Sequence, residues 1–323
     1  METIDKKHVV FYSGGLGSFA TTTRVVDKHG TDNLYLLFTD TLIESNDLYR
    51  FLIETAGYFF NIDKTITEPL AKRALTIPEL YEDENARKEV LEELRIEVNE
   101  AIPRLIWLSD GIQPWDIFFQ QKFLGNSRIA QCSHILKQVM SKKYVKDTFD
   151  PENTVLYLGI DWTEEHRTKA PRKNWAPYPV EFPMCEEPYA NKIDFVKLLE
   201  EINVRIPILY EQGYVHNNCG GFCVRAGQGH FANLIETNPA LLLYHERKEQ
   251  EIRELIGKDV SILRKQKNKV RFQYTLKDLR EDWEKDNKTE IDLDDIGGCG
   301  CFVNYDEEED LREAGLLDID IEK

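Results

Sequence analysis

The chain has 323 residues, with 58 acidic side chains against 41 Lys and Arg and a formal net charge of -17. That length can bury a full core and predicts one large domain with an appendage, or two domains. No apolar run approaches the roughly 20 residues of a membrane helix, and the charged amino-terminal stretch lacks the apolar core of a signal peptide, so a cytoplasmic protein with no membrane partner is expected. The charge disfavours a nucleic-acid partner, although residues 284–323 hold fifteen acids against four Lys or Arg and so supply -11 of the total. In the mildly acidic remainder, the basic cluster from His166 to Lys173 is either a solvated loop or a phosphate contact.

Taken in chain order, the first 60 residues alternate as a parallel α/β sheet requires. Apolar runs at His8 to Tyr12 and Leu34 to Phe38 read as strands, separated by a helical pattern from Phe19 to Lys28 and a turn at His29-Gly30. Ser45 or Asn46 then caps a helix with Leu48, Phe51 and Leu52 on one face. Between about Thr67 and Gly125 the pattern is helical and highly charged, which predicts a helical insertion over the sheet. Val155 to Ile160 reads as a further buried strand. The proline-rich stretch Pro171 to Pro188 marks the crossing from a nucleotide-type domain, 1–170, to a second region, 171–323. Helices are predicted there at Ile193 to Ile202, His230 to Glu236 and Pro239 to Ile256, with a hairpin from Val260 to Arg264 and Val270 to Tyr274 around a polar turn.

The strongest chemical signal is Ser13-Gly14-Gly15-Leu16-Gly17-Ser18, between the first strand and the first helix. Two adjacent glycines let the backbone turn tightly and present several N–H groups to one anion. The serine hydroxyls add donors, and the helix aims its positive end at the same point. A turn of small residues also serves as a plain strand-to-helix connection, and the segment lacks the lysine and spacing of a Walker loop. Asp40 falls just past the second strand, at the carboxyl edge where open α/β sheets bind ligands.

The loop resembles the SGGxxS loop of the PP-loop ATP pyrophosphatase superfamily, the adenine nucleotide alpha hydrolase-like proteins. Many members of that superfamily carry Asp or Lys where this chain has Gly17. Three further segments are similar to the branch typified by phosphoadenosine-phosphosulfate reductases. They are Phe38-Thr39-Asp40-Thr41 with Glu44 and Tyr49-Arg50-Phe51, Asn126-Ser127-Arg128 through Cys132 to Lys137, and Gly159-Ile160-Asp161-Trp162-Thr163-Glu164-Glu165-His166-Arg167. The resemblance implies a Rossmann-like, HUP-type parallel sheet and binding of ATP with Mg2+. Ser13, Gly14, Gly15, Leu16, Gly17, Ser18, Phe38, Asp40 and Glu165 would then hold the nucleotide, with Arg128, Lys137 and Arg167 as the catalytic cations.

Six cysteines in a chain of this length point to metal or redox chemistry rather than a disulfide framework. Cys219-Gly220-Gly221-Phe222-Cys223 and Gly298-Cys299-Gly300-Cys301 each place two thiols on a tightly turning backbone. Cys219, Cys223, Cys299 and Cys301 together would close a tetrahedral zinc site, with an iron–sulfur cluster or free redox thiols as the other readings. His216, His230 and Cys185 are alternative ligands. Arg225 and Gln228 either read substrate or brace this loop.

The resemblance implies an ATP-dependent enzyme that adenylates an acceptor and releases pyrophosphate, activating the acceptor for nitrogen or sulfur transfer. A nucleobase or a small metabolite fits as acceptor, and an oligomer or larger complex fits as the assembly. Two other classes are a sulfonucleotide reductase using a late cysteine and a non-catalytic nucleotide sensor. The Gly298 to Phe302 segment does not reproduce the glutamate-cysteine-glycine tail of the reductases.

Overall fold

The computed structural model describes residues 6–126, 129–267, 269–285 and 288–298. Strands Lys7–Phe11 (β1), Leu34–Thr39 (β2), Leu105–Leu108 (β3), Thr154–Tyr157 (β4) and Val180–Glu181 (β5) form one all-parallel sheet in the order β3-β2-β1-β4-β5. The chain is therefore an α/β protein of Rossmann-like arrangement.

Successive side chains of a strand point to opposite faces, and here both faces are apolar because helices cover both. On one face Val10, Tyr12, Leu36, Phe38 and Tyr157 pack under helices Leu16–His29 (α1), Asn46–Phe59 (α2), Lys64–Ala74 (α3) and Glu84–Ala101 (α4). On the other, Val9, Phe11, Leu37 and Leu156 meet Val145, Phe149, Trp175 and Tyr178. Ser45 caps α2 by accepting the Leu48 N–H, and Asp83 caps α4 by accepting from Asn85 and Ala86.

Two expectations about organisation are corrected. The segment Thr67 to Gly125 is not an insertion over the sheet, because it contributes the edge strand β3, paired in register with β2 from Leu36↔Leu105 to Thr39↔Leu108. Helices α2, α3 and α4 are thus the crossover between two neighbouring strands. Four apolar residues between a charged helix and a polar turn carry too little periodicity to announce a strand. The boundary at residue 170 also moves, since helix Lys169–Asn174 (labelled α8 below) straddles it and β5 pairs with β4. A two-residue strand inside a proline-rich run has no pattern of its own.

After β3 come Pro114–Gln121 (α5) and a continuous helical stretch made of Gln131–Ser133 (α6), the π-helical turn His134–Val139 and Met140–Thr148 (α7); α8 follows β4. The remaining region holds Val196–Glu201 (α9), Ile208–Glu211 (α10), Gln228–Thr237 (α11) and Pro239–Ile256 (α12). A hairpin of Leu263–Lys267 (β6) and Val270–Tyr274 (β7) and helix Leu276–Glu284 (α13) complete it. Strand β6 begins at Leu263 rather than Val260 and includes Lys265 and Gln266, so much of the expected polar turn lies in the ladder.

The second region shares its core with α5: Trp115, Ile117 and Phe118 cluster with Phe222, Phe231, Leu242 and Leu276. It is also fastened to α2. Asp47, buried, accepts from the Ile208 N–H at 2.7 Å and from Arg50 Nε at 2.7 Å. No helix among the described residues is long and apolar enough to cross a membrane.

Candidate nucleotide cleft

The strand order reverses direction between β1 and β4, and a crevice opens at such a switch point outside the carboxyl ends of the strands. The cleft there is walled by Ser13, Gly15, Gly17 and Ser18 after β1, Phe38 and Thr39 at the end of β2, and Gly159 and Asp161 after β4. Its enclosed volume, about 170 Å³, is below the roughly 300–1,000 Å³ of typical ligand pockets.

The loop geometry follows from its glycines. Gly14 has φ +74°, and a Cβ there would stand 2.9 Å from Leu48 Cγ. Gly15 caps α1 with extended backbone, and α1 has no acidic residue in its first turn, so its N-terminus keeps its positive potential. Ser18 Oγ donates to the Gly15 carbonyl at 2.9 Å and Ser13 Oγ lies 3.4 Å from Ser18 Oγ, which closes the turn on itself. Leu16 and Gly14 belong to the turn without lining the cleft: Leu16 is buried in the core and Gly14 packs on Leu48. A Cβ on Gly17 would meet only the Gly159 carbonyl, at an ordinary 3.5 Å.

Lys137 and Glu44 form a buried pair in the cleft wall, Nζ to Oε1 3.7 Å. Thr41 Oγ1 donates to Glu44 Oε1 at 3.0 Å, and the Cys219 N–H donates to the other oxygen. Lys137 sits in the π-helical turn, a local unwinding often found at functional sites. Buried Arg87 fixes the approach to Glu44 by donating to the Leu42 and Glu44 carbonyls and to Asn46 Oδ1.

The third expected cation, Arg167, also lines the cleft and is paired with Glu164. Glu164, not the exposed Glu165, faces the site. A 3-10 turn with a kink at Glu164 sets that choice, and the sequence Glu-Glu gives no sign of it. Asp40 does not enter the cleft. Its carboxylate is buried behind β2, accepting from Leu42 N at 2.7 Å, Tyr49 Oη at 2.8 Å and Trp107 Nε1 at 3.0 Å. Burial lifts its pKa to about 6 against the pull of those donors. Arg128 lies outside the described residues.

Sequence reasoning marked the polar stretch from Tyr210 to Gln228 as site-like without linking it to this cleft. Tyr210, His216, Asn217 and Asn218 all line the cleft, as does Lys192. The Tyr210 hydroxyl accepts the Leu16 N–H at 3.1 Å, and Asn217 Nδ2 donates to the Gly14 carbonyl at 2.8 Å. Asn217 Oδ1, fully buried, has no hydrogen-bond partner among the described residues. Polar crowding from Tyr210 to Gln228 was the available signal, but its target some 200 residues upstream was not legible.

Cys219 and Cys223 line a small apolar cavity together with Cys132, Lys137 and Arg225. Two thiols on one turn are the soft donors that zinc or an iron–sulfur cluster takes. Cys299 and Cys301 lie outside the described residues, and among the described ones no three His, Cys, Asp or Glu side chains gather closely enough to hold a metal. Of the alternative ligands, His230 Nε2 bonds the Gly221 carbonyl at 2.8 Å and Cys185 Sγ bonds the Ile160 carbonyl, while His216 lines the cleft at the carboxyl ends of the strands. Gln228 braces the region, its amide donating to Arg264 O and accepting from Asp292 N. The basic cluster is exposed at His166, Lys169, Arg172 and Lys173.

No family model matches the chain, and no curated protein matches its sequence significantly.

Proposed function

We propose that this chain is a PP-loop enzyme of the HUP type, cytoplasmic, that binds ATP with Mg2+ in the cleft, transfers AMP to an acceptor and releases pyrophosphate. The observation that carries the reading is the Ser13 to Ser18 turn between β1 and α1 at the switch point of a parallel sheet, with Lys137 and Arg167 on the walls of the same cleft. Backbone N–H groups at the α1 N-terminus and these two cations supply fixed positive potential where pyrophosphate charge develops, so the protein's part is positioning and charge stabilisation. Phe11, Leu37 and Phe38 give an apolar wall suited to a base. The adenylated acceptor is then open to a nitrogen or sulfur nucleophile. A nucleobase or small metabolite is the acceptor class.

A metal held by Cys219 and Cys223 with Cys299 and Cys301 belongs to this reading as a structural element beside the cleft. Its chemistry, when bound, is to tie the tail to the second region.

Sulfonucleotide reduction is the second reading. It is favoured by one observation: Lys137 is shared between the nucleotide cleft and the cavity of Cys132, Cys219 and Cys223. The test is product analysis with ATP–Mg2+ and, separately, with a sulfonucleotide plus dithiol. Adenylation yields AMP and pyrophosphate, and reduction yields sulfite with no pyrophosphate. Production of ADP and phosphate alone would sink both.

A further inference from the structure

We propose that His216 is the proton acceptor for the attacking group, and that the acceptor is accordingly a neutral molecule whose nucleophilic oxygen carries a proton, an alcohol or the hydroxyl tautomer of a lactam. The inference rests on the adenylation reading above. His216 is one residue from Asn217, whose side chain is bonded to the phosphate loop at Gly14, so the imidazole is held at the cleft by a fixed anchor. Its ring makes no hydrogen bond to any described residue, unlike His8, His230 and His245, whose rings are bonded to Tyr157, Gly221 and Trp115. A half-buried imidazole that lines a polar cleft with both nitrogens unbonded is available to a ligand.

The surroundings favour a neutral guest. Lys192, Asp161 and the Arg167–Glu164 and Lys137–Glu44 pairs line the cleft, three cations against three anions. Burial and the Lys192 charge push the His216 ring down to about 4, with Glu164 acting in the opposite direction and His230 and Arg167 adding to the fall. The ring is therefore unprotonated at neutral pH, as a base must be. A bound triphosphate adds negative charge to the cleft and raises its basicity toward the working pH, which is the direction that makes proton transfer efficient. A carboxylate or sulfate acceptor attacks without losing a proton and has no use for such a group.

In the step proposed, the acceptor oxygen forms a bond to the α-phosphorus and its proton passes to the imidazole. The bond from the α-phosphorus to the bridging oxygen breaks, and pyrophosphate leaves with that electron pair. Water can replace the acceptor, giving AMP and pyrophosphate.

The test uses the full chain with ATP–Mg2+ alone, following pyrophosphate release to water and, separately, ATP affinity by calorimetry. His216→Gln should slow release at pH 7 by roughly 10²-fold or more while ATP affinity stays within about twofold. The acidic limb of the wild-type pH profile should vanish in this variant, and added imidazole should restore release in His216→Ala. Unchanged release in His216→Gln, or a loss of ATP affinity that accounts for the slower rate, overturns the proposal. So does a wild-type protein that binds ATP but releases no pyrophosphate to water, because a base over the reacting phosphate would activate it. Failure of the wild type to bind ATP at all overturns the nucleotide reading itself, a separate result.

Discussion

Gly14→Ala perturbs the Ser13 to Ser18 turn at the point where its geometry is least forgiving. The backbone there has φ +74°, where a side chain costs about 1–2 kcal/mol. The new Cβ would also stand 2.9 Å from Leu48 Cγ and 3.0 Å from Leu48 Cδ2, in a fully buried contact. Overpacking of this kind costs about 1–3 kcal/mol, so the sum is about 2–5 kcal/mol. Urea unfolding of the variant should show a lower midpoint at unchanged slope. ATP affinity should fall as well, because relief of the clash displaces the turn. The two contributions are separable. In a Leu48→Ala background the same substitution should cost only the backbone part, about 1–2 kcal/mol, since the colliding atoms are gone. A Gly14→Ala protein as stable as wild type, or an equal cost in both backgrounds, would refute this account of the loop.

Other substitutions address the remaining parts of the site. Lys137→Met leaves Glu44 buried without its cation and should cost about 3–5 kcal/mol. With Glu44→Gln added, the double variant should recover part of that loss in a thermodynamic cycle, and strictly additive costs would show that the pair is not coupled. Asp40→Asn should leave ATP affinity within about twofold by calorimetry, because the carboxylate faces Trp107 and Tyr49 rather than the cleft. The pKa of Asp40 is raised from 3.8 to about 6 in the folded state. Its stabilising contribution is therefore full below 3.8 and lost as pH rises through about 6. The wild-type urea midpoint should decline across that window by an amount that Asp40→Asn removes, at most about 3 kcal/mol by the usual linkage. Cys219→Ser and Cys299→Ser should each lower the zinc or iron content of the purified chain, measured by elemental analysis, whereas Cys185→Ser should leave it unchanged.

The parallel sheet was legible because β1, β2 and β4 are continuous apolar runs, as strands buried on both faces must be. Strands β3 and β5 escaped notice because four and two residues are too few for a period, and their neighbours dominate the local pattern. The Ser13 to Ser18 turn between β1 and α1 was legible through Gly14 and Gly15. Its partners divided by how locally they are determined: Lys137 and Arg167 face the cleft as expected, while Asp40 turns inward to satisfy buried Tyr49 and Trp107 donors that no spacing could associate with it. The contacts of Tyr210 and Asn217 with the loop depend on long-range packing of the second region against α2 and α5, which leaves no trace in a linear pattern.

The most direct measurement is a crystal structure of the full chain with ATP and Mg2+. The account predicts the triphosphate on the backbone N–H groups of the Ser13 to Ser18 turn at the start of α1, with Lys137 and Arg167 turned toward it and Asp40 unmoved behind β2. A triphosphate bound away from Gly14 and Gly15 would contradict it.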